Sequence, residues 1–266
     1  PGASVTLTDY DTHGEDKVLA AICYPFTNLS DGELADKVAA LAAESRRSLM
    51  DAYVGERRNR RHRPGRAFER TGYRFDIVTD YGAFRDLQRH RLLTIEWQPL
   101  STELGYEVPD LVVEAGLAER YGESLERSRA LHDALEPLFP ALCGYTVALG
   151  YNIRFAMQLN AREAMHVIEL RSTPQGHPTY RRVVQEMHRL IGEQAGHRLI
   201  AGAMCFVEHD DASLGRLESE SRAAAGDLPA AGDLAAGDLP AASGAPLQSL
   251  PVDPGPELGG EVSGGL

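Results

Sequence analysis

Arg89, His90 and Arg91 stand side by side in the stretch LQRHRLLTIEWQPLSTELGY, residues 87–106, which runs on through the chain's single tryptophan, Trp97, to Pro99. Two guanidiniums around an imidazole suit a solvated helix end, or a cradle for a phosphate or an electron-rich ring. The triplet by itself leaves both readings open. A second set lies in LNAREAMHVIELR, residues 159–171. Asn160 and Arg171 are eleven apart, so a helix here puts both on one face, roughly 16 Å from each other. Arg162 falls in the first turn of that helix, where a cation is electrostatically disfavoured, and this predicts an external anionic partner such as a phosphate. Arg171 ends an apolar run, which suits either the negative end of the helix dipole or a bound anion or carbonyl. A third set is GERRNRRHRPGRAFERTGYR, residues 55–74, with Arg57, Arg58, Arg60, Arg61, Arg63, Arg66, Arg70 and Arg74. Such a stretch in an acidic protein points to an anionic partner; the plainer alternative is a solvated, mobile loop.

Other chemistries leave no trace. The sequence has no G-x-S-x-G elbow, no phosphate-binding G-x-x-x-x-G-K-[ST] loop and no G-x-G-x-x-G. His62, His90, His166, His177 and His188 lack metal-ligand spacing. Cys23, Cys143 and Cys205 have no paired spacing and no evident histidine partner, which suits a reducing cytoplasm. Chemistry here would therefore be carried by a bound cofactor. No apolar run approaches transmembrane length, and the N-terminus is not a signal peptide. The chain begins at Pro1, so the expectation is a fragment or a trimmed gene product, with room for a missing upstream domain.

The elements that must position these residues read as a mixed α+β body over 1–211. SDGELADKVAALAAESRRSLMDAYVG has Leu34, Val38, Leu41, Ala42, Ser45 and Leu49 at helical spacing behind a Ser30 or Asp31 cap. YRFDIVTDY alternates Tyr73, Phe75, Ile77 and Thr79, a strand pattern. Residues 109–142 predict two helices broken near Gly122, and 145–157 a strand. Asn160 followed by Glu163 has capping-box spacing. Pro178 opens a helix whose apolar face is Tyr180, Val183, Val184, Met187, Leu190 and Ile191. Residues 197–209 fit a strand or a buried helix equally. The formal net charge is −12; from Ala212 onward eight acids and two arginines account for half of it. That segment, 212–266, repeats Ala-Gly-Asp-Leu with interspersed Pro and reads as a disordered tail.

Taken together, the motifs resemble the flavin-dependent thymidylate synthases over about residues 4–195. Phe68 and Glu69 precede Arg89 by the family's spacing; Arg89, His90 and Arg91 match its triplet; Asn160, Ala161, Arg162, Leu170 and Arg171 match its later helix. The resemblance implies an α+β homotetramer with helices on a central sheet, and FAD sites shared between subunits. It implies reduction of FAD by NADPH, with the methylene of methylenetetrahydrofolate ending as the methyl of dTMP made from dUMP. By the same resemblance Glu69, Arg89, His90, Arg91, Asn160, Arg162, His166 and Arg171 lie near FAD. Arg89 and Arg171 also reach dUMP.

Several positions depart from the family pattern. The family's nucleotide-binding serine falls on Pro99, its glutamate on Trp97, and a following arginine on Ser101. A glutamine before the triplet becomes Asp86; a histidine becomes Arg70, and a flavin-contacting serine or threonine becomes Arg66. A two-residue insertion would instead offer Ser101 to dUMP, with Thr102, Tyr106 and Glu96 near it. The flavin half of the site is better matched than the dUMP half. The expected function is thus FAD-dependent thymidylate synthesis. A non-catalytic or repurposed FAD-binding paralogue is the alternative, and a nucleic-acid-binding protein ranks last, for want of interleaved aromatics.

Overall fold

In the computed structural model, residues 4–210 are described; the tail expected over 212–266 lies outside them. In chain order the elements are β1 (Ser4–Tyr10), α1 (Gly14–Cys23), α2 (Asp31–Ala39), α3 (Ala43–Val54), β2 (Gly72–Asp80), α4 (Tyr81–Leu87), β3 (Thr94–Trp97), α5 (Asp110–Glu114), α6 (Ala118–Leu135), β4 (Asn152–Asn160), α7 (Ala161–Arg171), α8 (Pro178–Glu193) and α9 (Arg198–Ala203). The strands form one antiparallel sheet in the order β1-β2-β4-β3. This is the α+β class expected from the sequence.

Period-2 alternation gives the sheet two unlike faces. Tyr73, Phe75 and Ile77 of β2 lie opposite Leu159, Met157 and Phe155 of β4, and all are buried. Against them lie Val18, Leu19 and Ile22 of α1, Phe84 and Leu87 of α4, Met165 and Ile168 of α7, and Val183, Val184, Met187 and Ile191 of α8. The opposite face carries ion pairs: Arg74 with Glu96 at 3.0 Å and Arg154 with Asp76 at 3.1 Å. One side of the sheet is thus core and the other polar. A smaller apolar cluster joins Leu125 of α6 to Val147 and Tyr151.

The expected face of α8 is buried in full. Elsewhere the boundaries move. The helix expected after Ser30 is two helices, with Ala40–Ala42 between them. The break lets Leu34 and Val38 on α2 and Met50 on α3 each reach the core. The Ser30–Glu33 capping box is complete. The break between α5 and α6 falls at Gly116, with φ +69°, and not at Gly122, which lies inside α6. A left-handed residue ends a helix; a helical glycine merely weakens one. The strand expected from 145 begins at Asn152, after a 3-10 turn over Cys143–Thr146. The ambiguous last segment contains the short helix α9. Among the described residues no helix is long and apolar enough to cross a membrane.

Candidate functional site

The site is built around α7, which leaves the sheet directly from β4. Asn160 is both the last residue of β4 and the N-cap of α7, its side chain accepting from the Glu163 N–H at 2.9 Å. That cap uses the amide oxygen and leaves the amide NH2 group of Asn160 to serve a ligand. Arg162, in the first turn, does not need the external anion expected of it. It donates to the Pro64 carbonyl at 3.0 Å and to Glu69 at 3.1 Å. Glu69 also pairs with Arg66 at 3.0 Å, and these two arginines hold its carboxyl below the usual range. Glu69 and Asn160 both line an open cleft of about 750 Å³, together with Arg70, Arg74, Leu92 and Leu93.

At the other end of α7, Arg171 reaches back toward the triplet. The turn after α4 is closed by the His90 N–H on the Leu87 carbonyl, and it sends His90 inward while Arg89 and Arg91 face solvent. Arg171 donates from Nε to His90 Nε2 at 3.0 Å and from Nη2 to the Asp86 carbonyl at 2.7 Å, and its guanidinium lies over the Tyr180 ring. His90 Nδ1 is 3.8 Å from a Glu163 carboxylate oxygen, and its ring meets His166 edge-on. Burial, then the positive Arg171, then His166 push the His90 pKa down to about 4. His90 is therefore neutral at physiological pH, and the Arg171 bond assigns its proton to Nδ1, facing Glu163. Burial raises the Glu163 pKa, and burial with Arg63, Arg60 and Arg171 lowers that of His166.

His90, Glu163 and His166 bring their ligating atoms within 4.8 Å of one another, a grouping that spacing along the chain does not reveal. Two histidines and a carboxylate can bind a transition metal. Here Arg171 occupies one nitrogen of His90, and Arg60, Arg63 and Arg162 add positive charge. That field favours an anion or an electron-rich ring over a cation.

Sequence reasoning missed two interior acids. Glu169 receives Arg57 through two bonds of 2.6 and 2.7 Å, and both side chains are almost fully buried, at 1% and 3% exposure. Glu169 also accepts from the Phe206 N–H at 3.3 Å, and Arg57 reaches the Ala203 carbonyl at 2.9 Å. The available signal was a glutamate inside the apolar run MHVIEL, since a buried acid needs a cation. Glu163 is the second: its spacing suggests a capping box, but only its N–H serves the cap, and its carboxylate is buried 3.8 Å from His90 Nδ1.

Of the expected residues, the fold brings together Glu69, His90, Asn160, Arg162, His166 and Arg171. Arg89 is exposed and pairs with Asp86 at 3.5 Å; Arg91 is exposed. Ser101 lies in the turn after β3, where its hydroxyl accepts from the Glu103 N–H at 3.4 Å. No hydrogen bond joins the Ser101 side chain to α7 among the described residues. Trp97 is 51% exposed and packs at a tilt against Phe84, with ring centroids 5.6 Å apart.

The sequence model of a family described as thymidylate synthase complementing protein, Thy1, matches residues 6–195. A UPF0159 protein of Chlamydia pneumoniae is 37% identical over 220 residues, covering 82% of this chain and 41% of its own length. One of Chlamydia muridarum is 34% identical over 221 residues, 83% of this chain and 41% of its own. One of Thermoplasma acidophilum is 35% identical over 222 residues, 82% and 44% respectively. The chain thus spans about two fifths of the length of these relatives. Among solved structures, the UMP/dUMP methylase PolB from Streptomyces cacaoi, bound with 5-Br dUMP, has a similar fold. Its TM-score is 0.59 at 18% identity, covering 75% of this chain and 95% of that one.

Proposed function

The chain belongs to the thymidylate synthase complementing protein family, and on that premise we propose that it is a thymidylate-synthase-like enzyme that modifies dUMP with a bound FAD. The observation that carries this reading is convergence. Glu69, His90, Asn160, Arg162, His166 and Arg171 come from three distant segments and meet around one helix. The neighbouring cleft of about 750 Å³ has the size of a cofactor site, which runs to roughly 1,000 Å³. It offers the Asn160 amide and the Glu69 carboxylate, so the residues present fit a flavin nucleotide. FAD, reduced by NADPH, supplies the hydride with which a methylene from methylenetetrahydrofolate becomes the methyl of dTMP. The chain's own part is to bind and orient. Arg171 fixes the neutral tautomer of His90, Asn160 and Glu69 hold the flavin ring or ribose, and the exposed Arg89 and Arg91 receive nucleotide anions.

A homotetramer with shared sites belongs to this proposal. Support comes from an exposed apolar group over α6 and the segment after it: Leu131, Leu138, Phe139, Leu142, Tyr145 and Leu149. Exposed apolar surface of that kind marks association. A second reading is a non-catalytic FAD-binding member, and one observation favours it. The Asp86 carboxylate stands 3.5 Å from Arg89 and 4.0 Å from Arg171, so an acid already faces two of the arginines at the nucleotide site. The test uses the full chain loaded with FAD. Flavin absorbance is followed while dUMP is added, and dTMP formation is assayed with NADPH and methylenetetrahydrofolate. A flavin spectrum with turnover is expected. Flavin without turnover selects the second reading, and failure to take up FAD overturns both.

A further inference from the structure

We propose that the loop over residues 58–63 is a phosphate clamp, in which Arg60 and Arg63, backed by Arg61, grip a phosphate group of the nucleotide seated at the α7 site. The proposal rests on the function proposed above and assigns a role to arginines that the family motifs leave unused.

The geometry begins with the two ends of the loop. Arg57 is fixed to Glu169 by the buried double bond, and Pro64, itself buried, is fixed to Arg162 through its carbonyl. Arg162, His166 and Glu169 are spaced i, i+4 and i+7 and so share one face of α7. The anchors are about 10 Å apart along the helix, and the loop runs antiparallel to it. The middle of the loop must therefore pass over His166. The electrostatics agree: Arg60 and Arg63 both act on the His166 imidazole, and Arg63 acts on Glu163.

The loop is also shaped from within. Arg57 Nε donates to the His62 carbonyl at 2.7 Å, the Arg61 N–H donates to Asn59 Oδ1 at 2.9 Å, and the Asn59 side chain meets the His62 ring at 3.2 Å. A chain ordered this way loses less entropy when it binds. The other arginines of the region have acid partners: Arg57 has Glu169, Arg58 has Glu56, Arg66 has Glu69, Arg70 has Asp31 and Arg74 has Glu96. Arg60, Arg61 and Arg63 make no ion pair within 4 Å among the described residues, although Arg63 acts on the buried Glu163 from further away. Three cations outside any close ion pair, two of which act on the α7 site, suit a dianionic phosphate ester. A bound nucleic acid is disfavoured because the loop carries no Phe, Tyr or Trp for base stacking.

Arg60→Gln/Arg63→Gln is the test, because neither side chain makes a hydrogen bond or close ion pair among the described residues. Dissociation constants are measured on the full chain for two pairs: FAD against riboflavin, and dUMP against deoxyuridine. The variant is expected to bind one phosphorylated member about 10- to 100-fold more weakly, while the unphosphorylated members stay within about twofold. The pair that responds identifies whether the phosphate belongs to the flavin nucleotide or to dUMP. An unchanged ratio in both pairs overturns the clamp. If the wild type binds none of the four, the proposed function has failed, and inorganic pyrophosphate decides the clamp alone. Perturbation of the His166 ring resonances by pyrophosphate in the wild type, lost in the variant, supports it; no perturbation overturns it. Tight binding of a single-stranded oligonucleotide that disappears in the variant, with no response to pyrophosphate, also overturns it.

Discussion

The two halves of the candidate site differ in what holds them. The α7 half is made by the core itself. Its helix buries an apolar face, and its polar groups, Asn160, Arg162, Glu163, Glu169 and Arg171, each have a partner supplied by the fold. The half formed by β3 and the turn after it sits on a four-residue strand at the sheet margin, with Trp97 and Pro99 exposed. The first half is therefore preorganised, and its geometry costs nothing further when a ligand arrives. The second is open, and its shape depends on what comes to lie against it.

Breaking the preorganised half has the largest effect. Glu169→Ala leaves Arg57 charged and buried, which costs about 3–5 kcal/mol. In a domain of this size that lowers the melting temperature by about 10 °C. Calorimetry decides it, and a shift under about 2 °C would mean that the pair is hydrated in solution. A joint replacement of Arg57 and Glu169 by Met should recover most of the loss, since apolar side chains fill the same space.

The next effect depends on pH. The folded pKa of His90, about 4, lies below the ordinary value of about 6.5, so protons bind the unfolded chain more tightly. Its contribution is present above pH 6.5, falls away as the pH drops toward 4, and levels off below. Relative to His90→Gln, which still accepts from Arg171, the wild type should lose about 3 kcal/mol across that window. Parallel denaturation curves at pH 7 and pH 4 measure the difference; identical pH dependence in the two proteins would show that His90 is not held neutral by burial.

How far the sequence foretold these halves follows from the range of the interactions. Asn160, Pro178 and the face of α8 were legible because a cap and a helical period are local. The alternation of β2 was legible for the same reason. The Arg57–Glu169 pair was not, since 112 residues separate its members. Arg162 calls for an external anion in sequence only because its partner, Glu69, lies on another element. His90 was picked out by its neighbours, but which of the triplet turns inward is set by the turn after α4, which the sequence pattern does not encode. Gly122 was mistaken for the breaker because sequence alone does not distinguish a helical glycine from a left-handed one.

Smaller effects sharpen the contrast. Asn160→Ala removes the α7 cap and should cost about 1 kcal/mol, whereas Asn160→Asp, which keeps an acceptor, should cost a few tenths. If the aspartate variant holds its stability but releases flavin, the free amide NH2 of Asn160 is the ligand contact. In the open half, Pro99→Ser should change stability by no more than about 0.5 kcal/mol. If the missing hydroxyl limits nucleotide binding, the same change should tighten dUMP binding about tenfold. No change in affinity would assign that role to Ser101 or remove it from this turn.

The margins of the sheet have a consequence for assembly. An unpaired strand edge invites a second chain to add to it, and proteins that stay soluble blunt such edges. Here β1 is interrupted by a register shift between Leu7 and Asp9, and the Leu7 carbonyl accepts from the Gln194 side chain at 3.0 Å. At the other margin, β3 ends after four residues, and Pro99 follows with no N–H to offer. Both borders are thus blunted against extension into a continuous intermolecular sheet.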